Sequence, residues 1–216
     1  MNTVVAIDGP AASGKSTVAR KLATKLNFLY VDTGAMYRTF AWLANCKEID
    51  PSSRSQVRQL IDDTEFEAVP VKGRVELRVD GKDPGDHIRS EEVNATVSKI
   101  ASIPELREFL VNEQRKLRHR FRLVMEGRDI GTVVFTDTPH KYFIDADPEI
   151  RAKRRQAEGL ADATDQRDRL DRARASAPLI KAADAKLIDS THQGSDLIVE
   201  QIIKELEETG FSTASL

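Results

Sequence analysis

Apolar positions fall into two rhythms along the chain. Short apolar runs at Thr3–Asp8 (T-V-V-A-I-D), Phe28–Val31, Leu123–Met125, Lys141–Ala146 (K-Y-F-I-D-A) and Lys186–Asp189 read as buried strands. Between them apolar residues recur at helical spacing. Val18, Leu22 and Leu26 form one stripe, with Lys21 and Lys25 on the other face. Met36, Tyr37, Phe40, Ala41 and Leu43 form a second, and Val93, Val97 and Ile100 a third. Pro104 opens a helix carrying Leu106, Phe109, Leu110 and Leu117. A final helix, about Ser195 to Glu208, is expected to turn Leu197, Ile198, Ile202 and Leu206 inward before Gly210 ends it. Strands alternating with helices predict an α/β fold with a five-stranded parallel sheet flanked by helices. From about Glu65 to Pro84 the rhythm becomes strict alternation. Phe66, Ala68 and Pro70, then Val75, Leu77 and Val79, are separated by the turn signals Lys72-Gly73 and Asp80-Gly81. That stretch predicts a small antiparallel β insertion.

The chemistry begins where the first strand ends. Gly9 to Thr17 reads G-P-A-A-S-G-K-S-T and fits G-x-x-x-x-G-K-[ST], the phosphate-binding P-loop. Gly9, Pro10, Ala11, Ala12, Ser13 and Gly14 supply a loop whose N–H groups cradle phosphate oxygens, and Thr17 belongs to the helix N-terminus facing the anion. Lys15 reaches the β- and γ-phosphates, and the Ser16 hydroxyl is a direct Mg²⁺ ligand. The second strand ends in Asp32-Thr33-Gly34, which places Asp32, Thr33 and Arg38 at the ligand-facing edge of an open sheet; Asp32 also suits a helix cap. The third long strand ends in Glu126-Gly127-Arg128-Asp129. Glu126, with Asp32, is a candidate to hold Mg²⁺ through water, as a Walker-B carboxylate does.

Asp147-Pro148 starts a helix on which Arg151, Arg154 and Arg155 share a face. Gly159 to Thr164 interrupts it, and a second helix carries Arg167, Asp171 and Arg174 before Ala177-Pro178. Two arginine faces around a short break suggest a short helical lid that folds over phosphates. Phosphoryl transfer is catalysed mainly by positioning and charge, which guanidinium forks supply. Neutralisation by Glu158, Asp162, Asp165 and Asp168 is the plainer alternative.

Composition narrows the class. The 216 residues carry a net charge of −2, so no overall basic field points to nucleic acid. The basic run Arg115, Lys116, Arg118, Arg120 and Arg122 reads mostly as a solvated face. One cysteine, Cys46, leaves no internal disulfide and fits a reducing compartment. No stretch is long and apolar enough to span a bilayer, and a strand starting at residue 3 leaves no room for a signal peptide, so a cytoplasmic protein with no membrane partner is expected. The D-x-x-G and N-K-x-D signatures of a GTPase are missing after the P-loop, and the chain is short for a remodelling ATPase. A small-molecule kinase remains.

The chain resembles bacterial-type cytidylate kinase, a nucleoside monophosphate kinase family. The resemblance rests on I-D-G-P-A-A-S-G-K-S-T (7–17), D-T-G-A-M-Y-R (32–38), N-A-T-V-S-K-I-A-S-I-P-E-L-R (94–107), E-G-R-D-I-G-T-V-V-F (126–135), R-A-R-A-S-A-P-L (172–179) and D-S-T (189–191). It implies a P-loop kinase fold and transfer of the ATP γ-phosphate to CMP or dCMP. By resemblance, Arg38, Arg128 and Arg174 clamp the CMP phosphate, and Ser98, Arg107 and Asp129 read cytosine with Thr33 beside them. Arg167 and Asp171 lie near the ribose. Lys15, Arg128, Arg151, Arg154 and Arg155 are the catalytic candidates. The division expected is a core of 1–60, 100–150 and 168–216, a monophosphate-binding insertion at about 61–99 and a lid at about 151–167, shorter than is usual in the family. The partners expected are ATP, Mg²⁺ and CMP or dCMP, with the protein a monomer binding no nucleic acid. Alternatives are a kinase for UMP, another nucleotide or a sugar-like acid, and a nucleic-acid-binding P-loop protein using Arg115–Arg122.

Overall fold

A computed structural model describes residues 3–157 and 177–211. The chain runs β1 (Val4–Asp8), α1 (Lys15–Leu26), β2 (Leu29–Asp32), α2 (Thr33–Cys46), α3 (Arg54–Asp62), β3 (Phe66–Val71) and β4 (Arg74–Val79). A 3₁₀ turn (Gly85–Arg89), α4 (Glu91–Ile100), α5 (Pro104–Arg118), β5 (Leu123–Gly127) and β6 (His140–Asp145) follow. Last come α6 (Pro148–Ala157), β7 (Lys186–Asp189) and α7 (Ser195–Glu208).

The sheet order is β3-β4-β2-β5-β1-β6-β7. The five strands expected from the apolar runs form its parallel core, β2-β5-β1-β6-β7. The hairpin departs from expectation in one respect. It does not stand apart but extends the sheet by two strands, joined through Tyr30 N–H to Gly73 O at 2.9 Å. Lys72 and Gly73 both have positive φ (47° and 77°), the geometry a two-residue hairpin turn requires.

β1 and β5 are buried throughout because helices cover both faces. Val4 and Ala6 face a core built with α2, α3, α4 and α5. Val5 and Ile7 face a second core with α1 and α7. On α7 the buried stripe is Ile198, Val199, Ile202 and Leu206, while Leu197 is 59% exposed. Residues 198, 202 and 206 keep a strict four-residue spacing, and 197 sits a hundred degrees off that line. α3 gave no sequence expectation, since only Val57 and Leu60 of its nine residues are buried. Gly159–Thr164 and the helix expected around Arg167, Asp171 and Arg174 lie outside the described residues.

The register decides where chemistry collects. Asp8 pairs with Gly127, and Asp32 with Glu126. The carboxyl ends of β1, β2 and β5 therefore stop at one level, beside the β2/β5/β1 crossover, where open α/β sheets hold ligands.

Candidate active site

Backbone geometry builds the P-loop. Gly9 leaves β1 with φ 155°, and a methyl group there would lie 2.1 Å from the Ile144 carbonyl oxygen. Gly14, at φ 81°, starts α1 with no side-chain cap, so the first N–H groups of the helix are left for another acceptor. Lys15 Nζ donates to Pro10 O at 3.0 Å, folding the lysine back on its own loop. Behind the loop, Ser190 Oγ donates to Ser13 O at 2.7 Å. Ala11, Ala12, Gly14, Lys15, Ser16 and Thr17 line a cleft of about 530 Å³, whereas Gly9, Pro10 and Ser13 shape the loop from its far side.

The acidic corner of the cleft is centred on Glu126. Its Oε2 accepts from Ser16 Oγ at 2.8 Å and its Oε1 from Tyr30 OH at 2.6 Å. Its backbone carbonyl accepts from Thr33 Oγ1 at 2.7 Å, tying β5 to the start of α2. Burial, and then the nearby Asp32 carboxylate, push the Glu126 carboxyl above its usual range. Burial likewise pushes the Tyr30 phenol up, so it stays a donor. Asp32 caps α2 through Ala35 N at 3.0 Å, as its position suggested, and its Oδ2 lies 3.5 Å from Arg89 Nη2. A hydroxyl and two acidic groups at one corner fit a hard divalent cation, which prefers oxygen donors.

The opposite wall is basic. Arg38 donates to Ile88 O at 3.2 Å and to Asn94 Oδ1 at 2.8 Å. Burial, and then the charges of Arg89, Arg155 and Arg128, lower the Arg38 guanidinium to about 10. The Asp32 carboxylate opposes that shift, so Arg38 stands among three other arginines and one nearby carboxylate, a cationic wall suited to a phosphate. Arg128 Nη1 donates to Gly9 O at 3.0 Å. Asp129 forms an ion pair with Arg107, both only 5% exposed, and the Arg107 guanidinium lies over the Tyr37 ring, 5.5 Å from its centroid. Arg107 also donates to Ala101 O at 3.3 Å. Ser98 and Thr33 line the same cleft.

The three arginines of α6 divide. Arg155 lines the cleft. Arg151 is buried behind the P-loop, donating to Ala11 O and Ala146 O, each at 3.2 Å. Arg154 donates to Ala12 O at 3.3 Å and Ser190 O at 2.7 Å. Two members of the shared face therefore meet the P-loop backbone and the third faces the cleft. Arg154→Ala is accordingly expected to raise the KM for ATP about ten-fold while moving the acceptor KM less than about two-fold, since the lost bonds hold the donor loop. A raised acceptor KM with an unchanged ATP KM would place Arg154 on the other side of the cleft. Arg167, Asp171 and Arg174 lie outside the described residues.

Arg20, Arg89 and Asn94 line the cleft without having been assigned a role from sequence. Tyr30 and Asp8, equally unassigned, act behind it, Tyr30 on Glu126 and Asp8 on the segment after β5. Asp8 is the first residue of D-G-P-A-A-S-G-K, and its acidity beside a glycine loop was the one available signal. The basic run at the end of α5 and just after it is mostly solvated, as expected, with Arg115, Lys116 and Arg120 exposed, although several of its members have protein partners. Arg115 donates to Val133 O and Val134 O at 2.8 and 3.0 Å, Arg118 pairs with Asp137 at 2.6 Å, and Arg122 lies over the Phe28 ring.

Comparison with known proteins agrees with this geometry. The family model described as cytidylate kinase matches residues 5–208. A cytidylate kinase of Clostridium tetani is 40% identical over 97% of this chain and 96% of its own length. One from Pelotomaculum thermopropionicum is 41% identical over 92% of this chain and 93% of its own. A bifunctional pantoate ligase/cytidylate kinase of Synechococcus sp. is 42% identical over 95% of this chain and 44% of its own length.

Proposed function

The chain belongs to the cytidylate kinase family, and from that premise we propose how this cleft transfers the γ-phosphate of ATP to CMP or dCMP, giving ADP and CDP or dCDP. The observation that supports it is the meeting of three sets of groups in one cleft: P-loop, Glu126–Ser16 corner, and arginine wall with its Asp129–Arg107 pair.

In this reading Gly9 to Thr17 receive the ATP phosphates, and Lys15 swings from Pro10 O onto the β- and γ-oxygens. Ser16, with Glu126 and Asp32 through water, would hold Mg²⁺, which when bound offsets charge on the phosphates. Ser16 keeps its proton toward Glu126, leaving its lone pairs to face the cation. Arg38 and Arg128 hold the acceptor phosphate, and Arg155 reaches the transferring group from the α6 side. Asp129, Arg107 and Ser98 read the base, with Thr33 below it. No residue need act as a strong base, because the attacking oxygen belongs to a phosphate monoester that is already largely ionised near neutral pH and has no proton to give up.

The division into a core, an insertion at about 61–99 and a lid at about 151–167 belongs to the same proposal, as do the contributions of Arg167, Asp171 and Arg174. We place the protein in the cytoplasm, as a monomer without a nucleic-acid partner; the net charge of −2 supports the last point. No helix among the described residues is long and apolar enough to cross a membrane.

The test is ADP release from ATP with CMP, dCMP, UMP and AMP in parallel. Turnover with CMP and dCMP well above the other two is expected. No turnover with CMP, and ready turnover with another acceptor, would overturn the assignment.

A further inference from the structure

We propose that Asp8 is a positioning residue for the acceptor side of the cleft, fixing the loop that presents Arg128 and Asp129. The proposal rests on the acceptor assignment above. Asp8 closes β1, and its side chain turns into the space between the P-loop and the segment after β5. There its Oδ1 accepts from Ile130 N and its Oδ2 from Gly131 N, both at 2.8 Å. The fit is close: a methyl group at Gly131 would lie 3.4 Å from Asp8 Oδ2 and 3.1 Å from Lys141 Cδ. The next residue along the chain, Gly9, holds the same loop a second time, accepting from Arg128 Nη1 at 3.0 Å. Two consecutive residues therefore grip residues 128 to 131 at three points.

One of those two residues begins the P-loop. The strand end that sets the donor phosphates is thus also the one that sets the acceptor arginine and the base-reading carboxylate. In-line transfer needs donor and acceptor placed to a fraction of an ångström, so a shared anchor is mechanically useful. Burial disfavours the charge and pushes the Asp8 carboxyl up to about 7, although both N–H groups favour the ionised form. An apolar residue would avoid that cost, but it would leave two buried N–H groups unsatisfied. Asp8 does not line the cleft, so its influence passes through the loop it holds.

Asp8→Asn keeps the size and removes half of the grip. An amide offers one acceptor oxygen and one NH₂, so one of the two N–H groups would face a donor. The KM for CMP is expected to rise about ten-fold or more, the loss typical of one hydrogen bond to a charged acceptor, while the ATP dissociation constant without acceptor moves less than about two-fold. Both are read on the full chain, ATP binding by calorimetry and CMP by steady-state kinetics. Asp8→Ala, which lacks the opposing donor, is read alongside and should shift the same quantity in the same direction. Equal losses in ATP and CMP binding would overturn the proposal, and so would no change in either. Failure of both variants to fold would do so too, by making Asp8 a residue of the core. Wild-type protein that does not turn over CMP would overturn the acceptor assignment and this proposal with it. Normal wild-type turnover with an indifferent variant overturns this proposal alone.

Discussion

Lys15→Ala should abolish turnover while leaving the fold intact. Lys15 is the only P-loop side chain carrying full positive charge, and its Nζ rests on Pro10 O at 3.0 Å until phosphate replaces that carbonyl. Removing a charge that meets the transferring group in a buried site costs about 4 kcal/mol or more in the barrier, about a thousand-fold in rate. The effect belongs in kcat as well as KM, because charge on the bridging oxygens grows toward the transition state. Structure should survive. Lys15 sits in the first turn of α1, where alanine is a good helix former, and Glu126, which loses a nearby positive charge, keeps its bonds from Ser16 and Tyr30. The check is steady-state kcat/KM for CMP beside a thermal melt. A folded variant that keeps a tenth of wild-type activity would defeat the assignment.

The parts of this site that were legible in the sequence are those written locally. The glycines, lysine and serine of the P-loop sit within nine residues, between an apolar run and a helical stripe, so their geometry follows from neighbours in the chain. Asp32 at a strand end and Pro104 at a helix start are local in the same sense. Apolar periodicity likewise showed the five parallel strands but not their order. That order is what brings Tyr30 to Glu126, 96 positions away, and Asp8 to Ile130, 122 positions away. No composition or spacing announces such pairs, since they exist only once β5 is inserted between β1 and β2. The same holds for α6. Helical spacing put Arg151, Arg154 and Arg155 on one face, but only the packing of that face on the P-loop shows that Arg151 and Arg154 spend their donors on Ala11 and Ala12 carbonyls. The hairpin was legible as a hairpin, whereas its attachment to β2 depends on an edge N–H of Tyr30 that sequence does not mark.

Asp129→Asn should collapse the preference for CMP over UMP. Cytosine presents an amino donor at N4 and an acceptor at N3, and uracil reverses both. A cytosine reader therefore needs an acceptor facing N4 and a donor facing N3. Asp129 and Arg107 are such a pair already assembled, with Asp129 in the cleft lining and Arg107 buried against it. A carboxylate beside uracil O4 meets a second acceptor and loses a partner, so the wild-type ratio in kcat/KM should be about a hundred-fold or more. Truncation to alanine is the wrong test here. It would leave Arg107 as an uncompensated buried charge, at a cost of about 3–5 kcal/mol in stability, and would mix folding with recognition. Asparagine keeps an oxygen for Arg107 and supplies an NH₂ that uracil O4 can accept from. CMP turnover should then fall by about a hundred-fold while UMP turnover falls far less, bringing the ratio toward one. Both acceptors are assayed in parallel, at saturating ATP, on protein whose melt matches the wild type. If CMP and UMP activities fall by the same factor, Asp129 serves only to seat Arg107, and the base is read elsewhere.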